Sequence, residues 1–231
     1  ADTFGFASFK AQLDGLRAPT SARALTDSYK TNADMRSLID SFGASAESAA
    51  LYGTDATGTT AFVTAIYNNL LNRNPDYEGL TFWTNAINSG DLTRANASLA
   101  IMAGATDNMT PQGRLDAAIV DKKVSAATTF TAHIDNRTEL QAYNGDAAAA
   151  TARAMLAKVY SDTDIVAFTA TVDDTIARLV QDSIPSTVTT LAVGVDAQAG
   201  TNANDTFNAF SQDANGAAAT TLGASDNING S

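Results

Sequence analysis

Cysteine is absent from the 231 residues of the sequence, and histidine and tryptophan occur once each. Without a thiol, the chain can form no disulfide, no thiolate nucleophile and no cysteine-ligated zinc site. The single histidine, His133, has no second histidine with which to share a metal, and one histidine does not define a catalytic triad. We therefore expect no enzymatic activity from these residues.

Basic residues are also scarce, because 14 lysines and arginines stand against 25 acidic residues. They form no cluster of the kind that binds nucleic acid or an anionic membrane surface, and we expect neither partner. No apolar run is long enough to span a bilayer, so membrane insertion is not expected. The opening residues, ADTFGFASFKAQL, lack the basic and apolar regions of a secretory signal peptide. The protein is then either cytosolic or exported through a signal located elsewhere.

Apolar residues recur at helical spacing through about the first 185 residues. They lie three or four positions apart, and Pro185 is expected to end the clearest stripe. Much of the apolar content is alanine, which buries little area, so the core should depend on close helix contact. The predicted inner-face residues are Phe6, Phe9, Leu13 and Leu16; Met35, Leu38, Ile39 and Phe42; Phe62, Ile66 and Leu70; Leu80, Trp83 and Ile87; Leu99 and Met102; Leu115, Ile119 and Val124; Met155, Leu156 and Val159; and Ile165, Phe168, Val172, Ile176 and Leu179.

After Pro185 the composition shifts to threonine, asparagine, aspartate, glycine and valine, and no lysine or arginine follows. Short β-branched runs between Gly-Thr, Asn-Gly and Gly-Ala turns predict short strands. We therefore predict a mainly α protein, with a multi-helix domain over residues 1–185 and the incomplete start of a β-rich repeat region over residues 186–231. Oxygen-bearing side chains in its turns could bind calcium or could form Asx turns. These candidates are Asp196, Asn202, Asn204, Asp205 and Asp226.

A helical hairpin is predicted around the stretch NLLNRNPDYEGLTFWTNAINSG, residues 69–90. Thr59 or Thr60 should cap its first helix. Pro75 should open the second helix, since proline tolerates the first helical turn, and Gly90 should close it. The spacing places Trp83 on the inner face of the second helix.

The hairpin carries a pattern of dissimilar residues in register: an aromatic, then Tyr-x-x-x-Leu-x-Arg-x-Pro-Asp, then Gly-Leu-x-x-Trp, and a closing glycine. The pattern is held by Phe62, Tyr67, Leu71, Arg73, Pro75, Asp76, Gly79, Leu80, Trp83 and Gly90. With it, residues 62–105 closely resemble a domain of unknown function that is common in large secreted bacterial proteins.

The C-terminal stretch adds a second resemblance. The run LAVGVDAQAGTNANDTFNAF, followed by TLGASDNINGS, looks like the sequence that precedes calcium-binding glycine-aspartate repeats in such proteins. Together the two stretches resemble the N-terminal region of a type I-secreted bacterial surface-layer (S-layer) or RTX-like surface protein. The resemblance implies an extracellular cell-surface location, secretion without an N-terminal signal peptide, attachment to lipopolysaccharide or another glycan, and lattice formation by the full-length protein. Calcium is expected mainly in the C-terminal segment or beyond it.

The hairpin residues allow two interpretations. The polar edge formed by Asn68, Asn72, Arg73, Asn74 and Asp76 could bind a glycan or a neighbouring subunit, because amides and charged groups offer donors and acceptors. The same residues could instead fix the loop or form a solvated face. Trp83 could stack on a sugar ring or fill the space between the helices. We interpret Tyr67, Pro75, Gly79, Leu80, Trp83 and Gly90 as the structural motif.

Two hypotheses of different class follow. The first is a non-enzymatic S-layer module that anchors the protein to the cell envelope through lipopolysaccharide or another surface glycan. The second is an accessory helical domain of a secreted repeat-containing enzyme or adhesin, with the activity located beyond Ser231. Glycine-aspartate repeats or a catalytic motif further along the reading frame would separate the two.

Overall fold

A computed structural model describes residues 3–53, 58–184, 188–191, 197–199, 206–209 and 227–229. The described chain is mainly helical, as the sequence predicts. None of its helices is both long enough and apolar enough to cross a membrane. The helices are α1 (Thr3–Gly15), α2 (Ala22–Thr31), α3 (Ala33–Gly43), α4 (Ala46–Tyr52), α5 (Thr59–Leu71), α6 (Tyr77–Asn88), α7 (Arg94–Asp107), α8 (Pro111–His133), α9 (Arg137–Ala142), α10 (Gly145–Leu156) and α11 (Ile165–Ser183).

Most helices begin at a short polar side chain that accepts a hydrogen bond from the first helical turn. Such a cap satisfies a backbone N–H that has no partner within the helix, and it is worth about 1 kcal/mol. The capping residues of α2, α3, α4, α6, α7, α8, α9 and α11 are Ser21, Asn32, Ser45, Asp76, Thr93, Thr110, Asn136 and Asp164. Polar residues therefore set most of the helix starts.

Three clusters of buried apolar side chains form the core of the described helices. The first lies mainly between α5 and α7, the second between α8, α9, α10 and α11, and the third between α2 and α3. Their most buried members are Val63, Ile66 and Ala97 in the first cluster, Val172 and Met155 in the second, and Met35 in the third.

Helices α7 and α8 connect the clusters. Leu99 of α7 packs on the third cluster, while Ile101, two residues later, belongs to the first. Val120 of α8 lies in the first cluster and Phe130 in the second. The 23-residue helix α8 is thus long enough to pass from one cluster to the next.

Most residues predicted to face the core do so. Leu70, Leu156 and Phe168 are partly buried and pack against the clusters. Val159 is fully buried but lies in the turn after α10 rather than inside a helix. The fully or largely buried predicted residues are Met35, Leu38, Ile39, Phe62, Ile66, Ile119, Met155, Val159, Val172, Ile176 and Leu179.

Four predicted core residues are exposed instead: Phe6 by 49%, Phe42 by 41%, Leu115 by 48% and Val124 by 57%. Phe42 stacks on Phe9, with ring centroids 4.0 Å apart. The prediction for Leu115 and Val124 was wrong because the buried side of α8 includes charged residues that the apolar pattern cannot reveal. That buried side consists of Gly113, Asp116, Ile119, Val120, Lys123, Ala126 and Phe130.

Four three-residue strands make up most of what the structure describes after residue 185. They are β1 (Val188–Thr190), β2 (Ala197–Ala199), β3 (Thr206–Asn208) and β4 (Asn227–Asn229). Strand β1 pairs in parallel with β3, and β2 pairs in parallel with β4. Pro185 and the calcium candidates Asp196, Asn202, Asn204, Asp205 and Asp226 lie outside the described residues.

Candidate functional site

The turn of the hairpin is built from short polar residues. Helix α5 ends at Leu71, and Asn72 follows in the left-handed conformation (φ 53°), which asparagine adopts more readily than most residues. The carboxylate of Asp76 accepts a hydrogen bond of 2.7 Å from the backbone N–H of Gly79 and so caps α6. Pro75 therefore precedes the cap and does not open the helix as predicted.

The outer ends of the hairpin are joined to each other. Gly90 follows α6 with φ 83°, which confirms its predicted closing role. The predicted cap of α5 at Thr59 or Thr60 is wrong, because Gly58 occupies that position without a side-chain hydrogen bond. The Thr59 hydroxyl donates instead to the side-chain oxygen of Asn88 at 2.8 Å. This bond ties the start of α5 to the end of α6.

Arg73 joins the turn to helix α8. Its guanidinium donates two hydrogen bonds, of 2.9 and 2.6 Å, to the carboxylate of Asp116, whose side chain is only 3% exposed. The side-chain amide of Gln112 donates a third hydrogen bond to that carboxylate at 2.9 Å. The hydrogen bonds between Arg73 and Asp116 raise the pKa of the Arg73 guanidinium. The positive charge of Arg73 balances the negative charge of the buried Asp116 carboxylate, since burial of an unpaired charge is costly.

Asn72 joins the hairpin turn to the segment that follows α10. Its side-chain amide donates to the backbone oxygens of Ala157 and Val159, at 3.1 and 2.8 Å. Its side-chain oxygen accepts a 2.6 Å hydrogen bond from the ammonium group of buried Lys123, which also donates to the backbone oxygen of Asn69. Burial lowers the pKa of Lys123 to about 8. The predicted polar edge is therefore not a free surface at Asn72, because that side chain is bonded within the protein.

Trp83 holds α6 against α5 and α7. Its indole N–H donates to the Tyr67 hydroxyl at 3.0 Å, and burial raises the pKa of that hydroxyl. A Cβ at Gly104 would lie 2.9 Å from the indole ring, and a Cβ at Gly79 would lie 2.9 Å from the Tyr67 hydroxyl. Both glycines thus permit the close approach of the helices. These contacts agree with the interpretation that Trp83 fills the space between the helices. Its ring meets Phe82 edge to face, with the ring centroids 4.8 Å apart.

A cleft of about 380 Å³ lies where the hairpin meets the end of α7 and the start of α8. The ring of Phe82, which is 62% exposed, forms part of its lining. Two side-chain amides and several charged groups complete the polar part. The polar and aromatic lining residues are Tyr67, Arg73, Asp76, Glu78, Phe82, Trp83, Asn108, Thr110, Gln112 and Asp116.

Comparison with known protein families assigns part of the chain. Residues 39–109 match the family described as "Domain of unknown function (DUF4214)". This segment is a DUF4214 domain. The assignment agrees with the resemblance of residues 62–105 to a domain of unknown function. No curated protein and no solved structure matched the chain.

The cleft is formed jointly by the DUF4214 domain and the helix that follows it. Arg73 and Asn108 belong to the domain, whereas Gln112 and Asp116 lie just beyond its end, on α8. The ion pair of Arg73 therefore crosses the border of the matched segment. Arg73 of the domain thus depends on Asp116, which lies outside the matched segment.

The charge of the cleft is negative. Among the described residues that line it, Asp76, Glu78 and Asp116 are acidic and Arg73 alone is basic. Arg73 is paired with buried Asp116, so the exposed carboxylates of Asp76 and Glu78 remain. Carboxylates accept hydrogen bonds, and side-chain amides both donate and accept them. The cleft can thus bind hydroxyl groups beside an exposed aromatic ring.

Only part of the predicted site is brought together in the DUF4214 domain. Arg73 and Asp76 line the cleft, whereas Asn68 and Asn74 are exposed outside its lining. Sequence reasoning missed Phe82, Asn108, Gln112 and Asp116. Phe82 could have been found as the outward neighbour of Trp83 in the helical phase of α6. The other three carry no local signal, because only the fold brings the α7–α8 junction to the hairpin.

The described residues include no group of three or more histidine, cysteine, aspartate or glutamate side chains that could hold a metal ion. His133 at the end of α8 lies 2.7 Å from a carboxylate oxygen of Asp173 on α11. This contact joins two helices of the second cluster.

Proposed function

We propose that the chain is a structural surface-layer module that anchors its protein to the cell envelope through lipopolysaccharide or another surface glycan, and that the cleft beside Phe82 is the glycan contact. The observation that carries the proposal is the juxtaposition of an exposed aromatic ring with amides and carboxylates. A sugar ring offers C–H faces that pack on an aromatic ring and hydroxyls that need both donors and acceptors. The lining of the cleft supplies both.

One of the two strand pairs supports the assignment to a surface-layer or RTX-like protein. Residues 188 and 206, which pair in parallel, are 18 positions apart in sequence. That separation equals about two nonapeptide units of the parallel β-helix repeats found in calcium-binding surface proteins. Residues 197 and 227 of the other pair are 30 positions apart and do not fit that unit. Calcium would act in residues 186–231 or beyond them. The proposal also includes secretion to the cell surface and self-association of the full-length protein in a lattice.

The proposal is tested by the attachment of the purified chain to bacterial cells from which the surface layer has been stripped. We expect the parent to attach and Phe82→Ala to attach at least about tenfold less strongly, since a stacking aromatic is among the residues that dominate recognition. Tyr160→Ala is the matched control, because it removes an exposed aromatic ring outside the cleft. Circular dichroism of both variants checks that the fold is retained.

Absence of attachment by the parent would overturn the proposal. Equal attachment of the parent and Phe82→Ala would overturn the assignment of the contact to the cleft. Loss of attachment in Tyr160→Ala as well would indicate a general effect of removing surface aromatic rings, and it would count against the cleft in the same way.

A further inference from the structure

The cleft is unsuited to an anionic ligand. Its basic residue, Arg73, already donates two hydrogen bonds to Asp116, and that carboxylate is buried. The guanidinium also donates to the backbone oxygen of Asn74 at 3.0 Å. A phosphate, sulfate or carboxylate entering the cleft would have to compete with these bonds. It would also meet the exposed carboxylates of Asp76 and Glu78, and like charges at short range repel.

The same groups suit an uncharged ligand with several hydroxyls. A carboxylate accepts hydrogen bonds from hydroxyl groups. The Asn108 side-chain oxygen already accepts from the Thr110 N–H, so its NH₂ group can donate to a hydroxyl, and the Gln112 NH₂ group already donates to Asp116, so its oxygen can accept from one. Phe82 adds an exposed ring that can pack against the C–H face of a sugar. Trp83, which follows Phe82 in α6, holds this part of the helix in place, because its own ring is hydrogen-bonded to Tyr67 and lies in close contact with α7. The aromatic platform is thereby attached to a rigid part of the helix.

We infer that the cleft binds a neutral sugar residue and rejects phosphorylated, sulfated and acidic sugars. The inference rests on the proposed function, because it specifies the class of glycan that the module takes. Where an envelope glycan contains both kinds of sugar, contact is made with the uncharged part. Phe82 provides the stacking surface, and Asp76, Glu78, Asn108 and Gln112 provide the hydrogen bonds.

The test measures binding of the full chain to an array that carries neutral oligosaccharides beside sialylated, uronic, phosphorylated and sulfated ones. We expect the bound glycans to be neutral, with anionic ones at least about tenfold weaker. Their binding should change less than about twofold between roughly 50 and 500 mM salt, because no net attraction between charges is involved. Phe82→Ala should lose the binding, and Tyr160→Ala should keep it.

The charge argument is tested separately with Glu78→Lys, which replaces an exposed carboxylate with an ammonium group. This variant should bind the anionic glycans that the parent rejects, with an affinity at least about tenfold higher than that of the parent. Each array is repeated with chelator and with added calcium. Binding of anionic glycans by the parent only in calcium would show that a bridging cation sets the specificity, and it would overturn the inference.

The outcomes separate the inference from the proposed function. Preference of the parent for anionic glycans, with loss in Phe82→Ala, would overturn the neutral-sugar inference and leave glycan anchoring intact. Binding of neutral glycans that is unchanged in Phe82→Ala would overturn the assignment to the cleft. Binding to no glycan on the array, together with no attachment to stripped cells, would overturn both.

Discussion

At the scale of single residues, the ion pair between Arg73 and Asp116 is the most consequential contact of the hairpin turn. Removing Arg73 would leave a carboxylate in a nearly solvent-free position without its charge partner. Such uncompensated burial typically costs 3–5 kcal/mol. We therefore expect Arg73→Ala to lower the free energy of unfolding by about that amount, as measured by urea denaturation.

The matched control is Lys10→Ala, which breaks the pair between Lys10 and Asp14. That pair has the same 2.6 Å separation but is exposed on both sides, so we expect a change of at most about 0.5 kcal/mol. Equal effects of the two substitutions would show that the burial of Asp116 does not matter. An unchanged free energy of unfolding in Arg73→Ala would contradict the prediction, and it would favour the interpretation of Arg73 as part of a free polar edge.

The sequence suggested that Arg73 and Asp76 fix the loop, and it revealed the bonding partner of Asp76 but not that of Arg73. Asp76 caps its own helix three residues away, which is a local relation that the spacing reveals. The partner of Arg73 lies 43 positions further along the chain. Nothing near Asp116 marks it as buried, since an aspartate on a helix is usually solvated. Long-range pairing of polar groups is therefore the part of the site that could not be read from the sequence.

A second residue-scale prediction concerns Lys123 and pH. Its pKa is about 8 in the folded protein, below the ordinary value of 10.5, because burial opposes the charged form. The unfolded chain then binds more protons between these two values, so the contribution of Lys123 to stability grows as pH rises through that window. The upper limit is roughly 3 kcal/mol. The stability of the parent relative to Lys123→Met should thus increase between about pH 8 and pH 10.

Urea denaturation of both proteins at several pH values measures this difference. The comparison with the variant is needed because burial raises the pKa of Tyr29, Tyr52 and Tyr67. Ionisation of tyrosines in the unfolded chain lowers stability in alkali, and it does so in both proteins. A difference that stays constant with pH would contradict the prediction.

At the scale of secondary-structure elements, close approach of helices depends on glycine. A Cβ at Gly43 would lie 2.2 Å from the Cα of Ala95, at the contact between α3 and the start of α7. Backbone atoms cannot move aside as a flexible side chain can, so the helices would have to separate. We expect Gly43→Ala to destabilise the protein by about 1–3 kcal/mol, as measured by thermal or urea unfolding.

Gly15→Ala in α1 is the control for this substitution. A Cβ at Gly15 would have no neighbour within 4 Å, and alanine favours a helix over glycine by up to about 1 kcal/mol. We therefore expect no loss of stability in that variant. A similar loss in both variants would show that the effect comes from glycine itself rather than from the contact between α3 and α7.

The apolar stripes of the helices were predictable to different degrees. The stripe of α11 was read correctly at Val172, Ile176 and Leu179, because large apolar residues recur there at helical spacing. The burial pattern of α8 was not, since its inner side mixes glycine, alanine and charged residues with apolar ones. Periodicity detects large apolar side chains only, and a helix that buries small or ion-paired residues escapes it.

At the scale of the whole molecule, helices α7 and α8 connect the three apolar clusters. The DUF4214 domain ends within this arrangement, at residue 109, between the two connecting helices. Its last helix packs on α2 and α3 as well as on α8. The domain thus shares its core with segments on both sides, and the cleft exists because α8 closes it. A glycan bound there would contact the domain and its neighbour together.

The shared helices predict that the described helical part unfolds in one transition, without a need for calcium. Trp83, the only tryptophan, reports on the hairpin by fluorescence, whereas circular dichroism reports on all helices. The two melting curves should coincide, because α7 and α8 cannot leave one cluster without disrupting another. Chelator or added calcium should shift the midpoint by less than about 1 °C, since the clusters are stabilised by apolar burial.

Any calcium effect should be confined to residues after Thr187. A fluorescence transition at lower temperature would show that the hairpin unfolds separately, and loss of the helical signal in chelator would show that a metal holds the helices together.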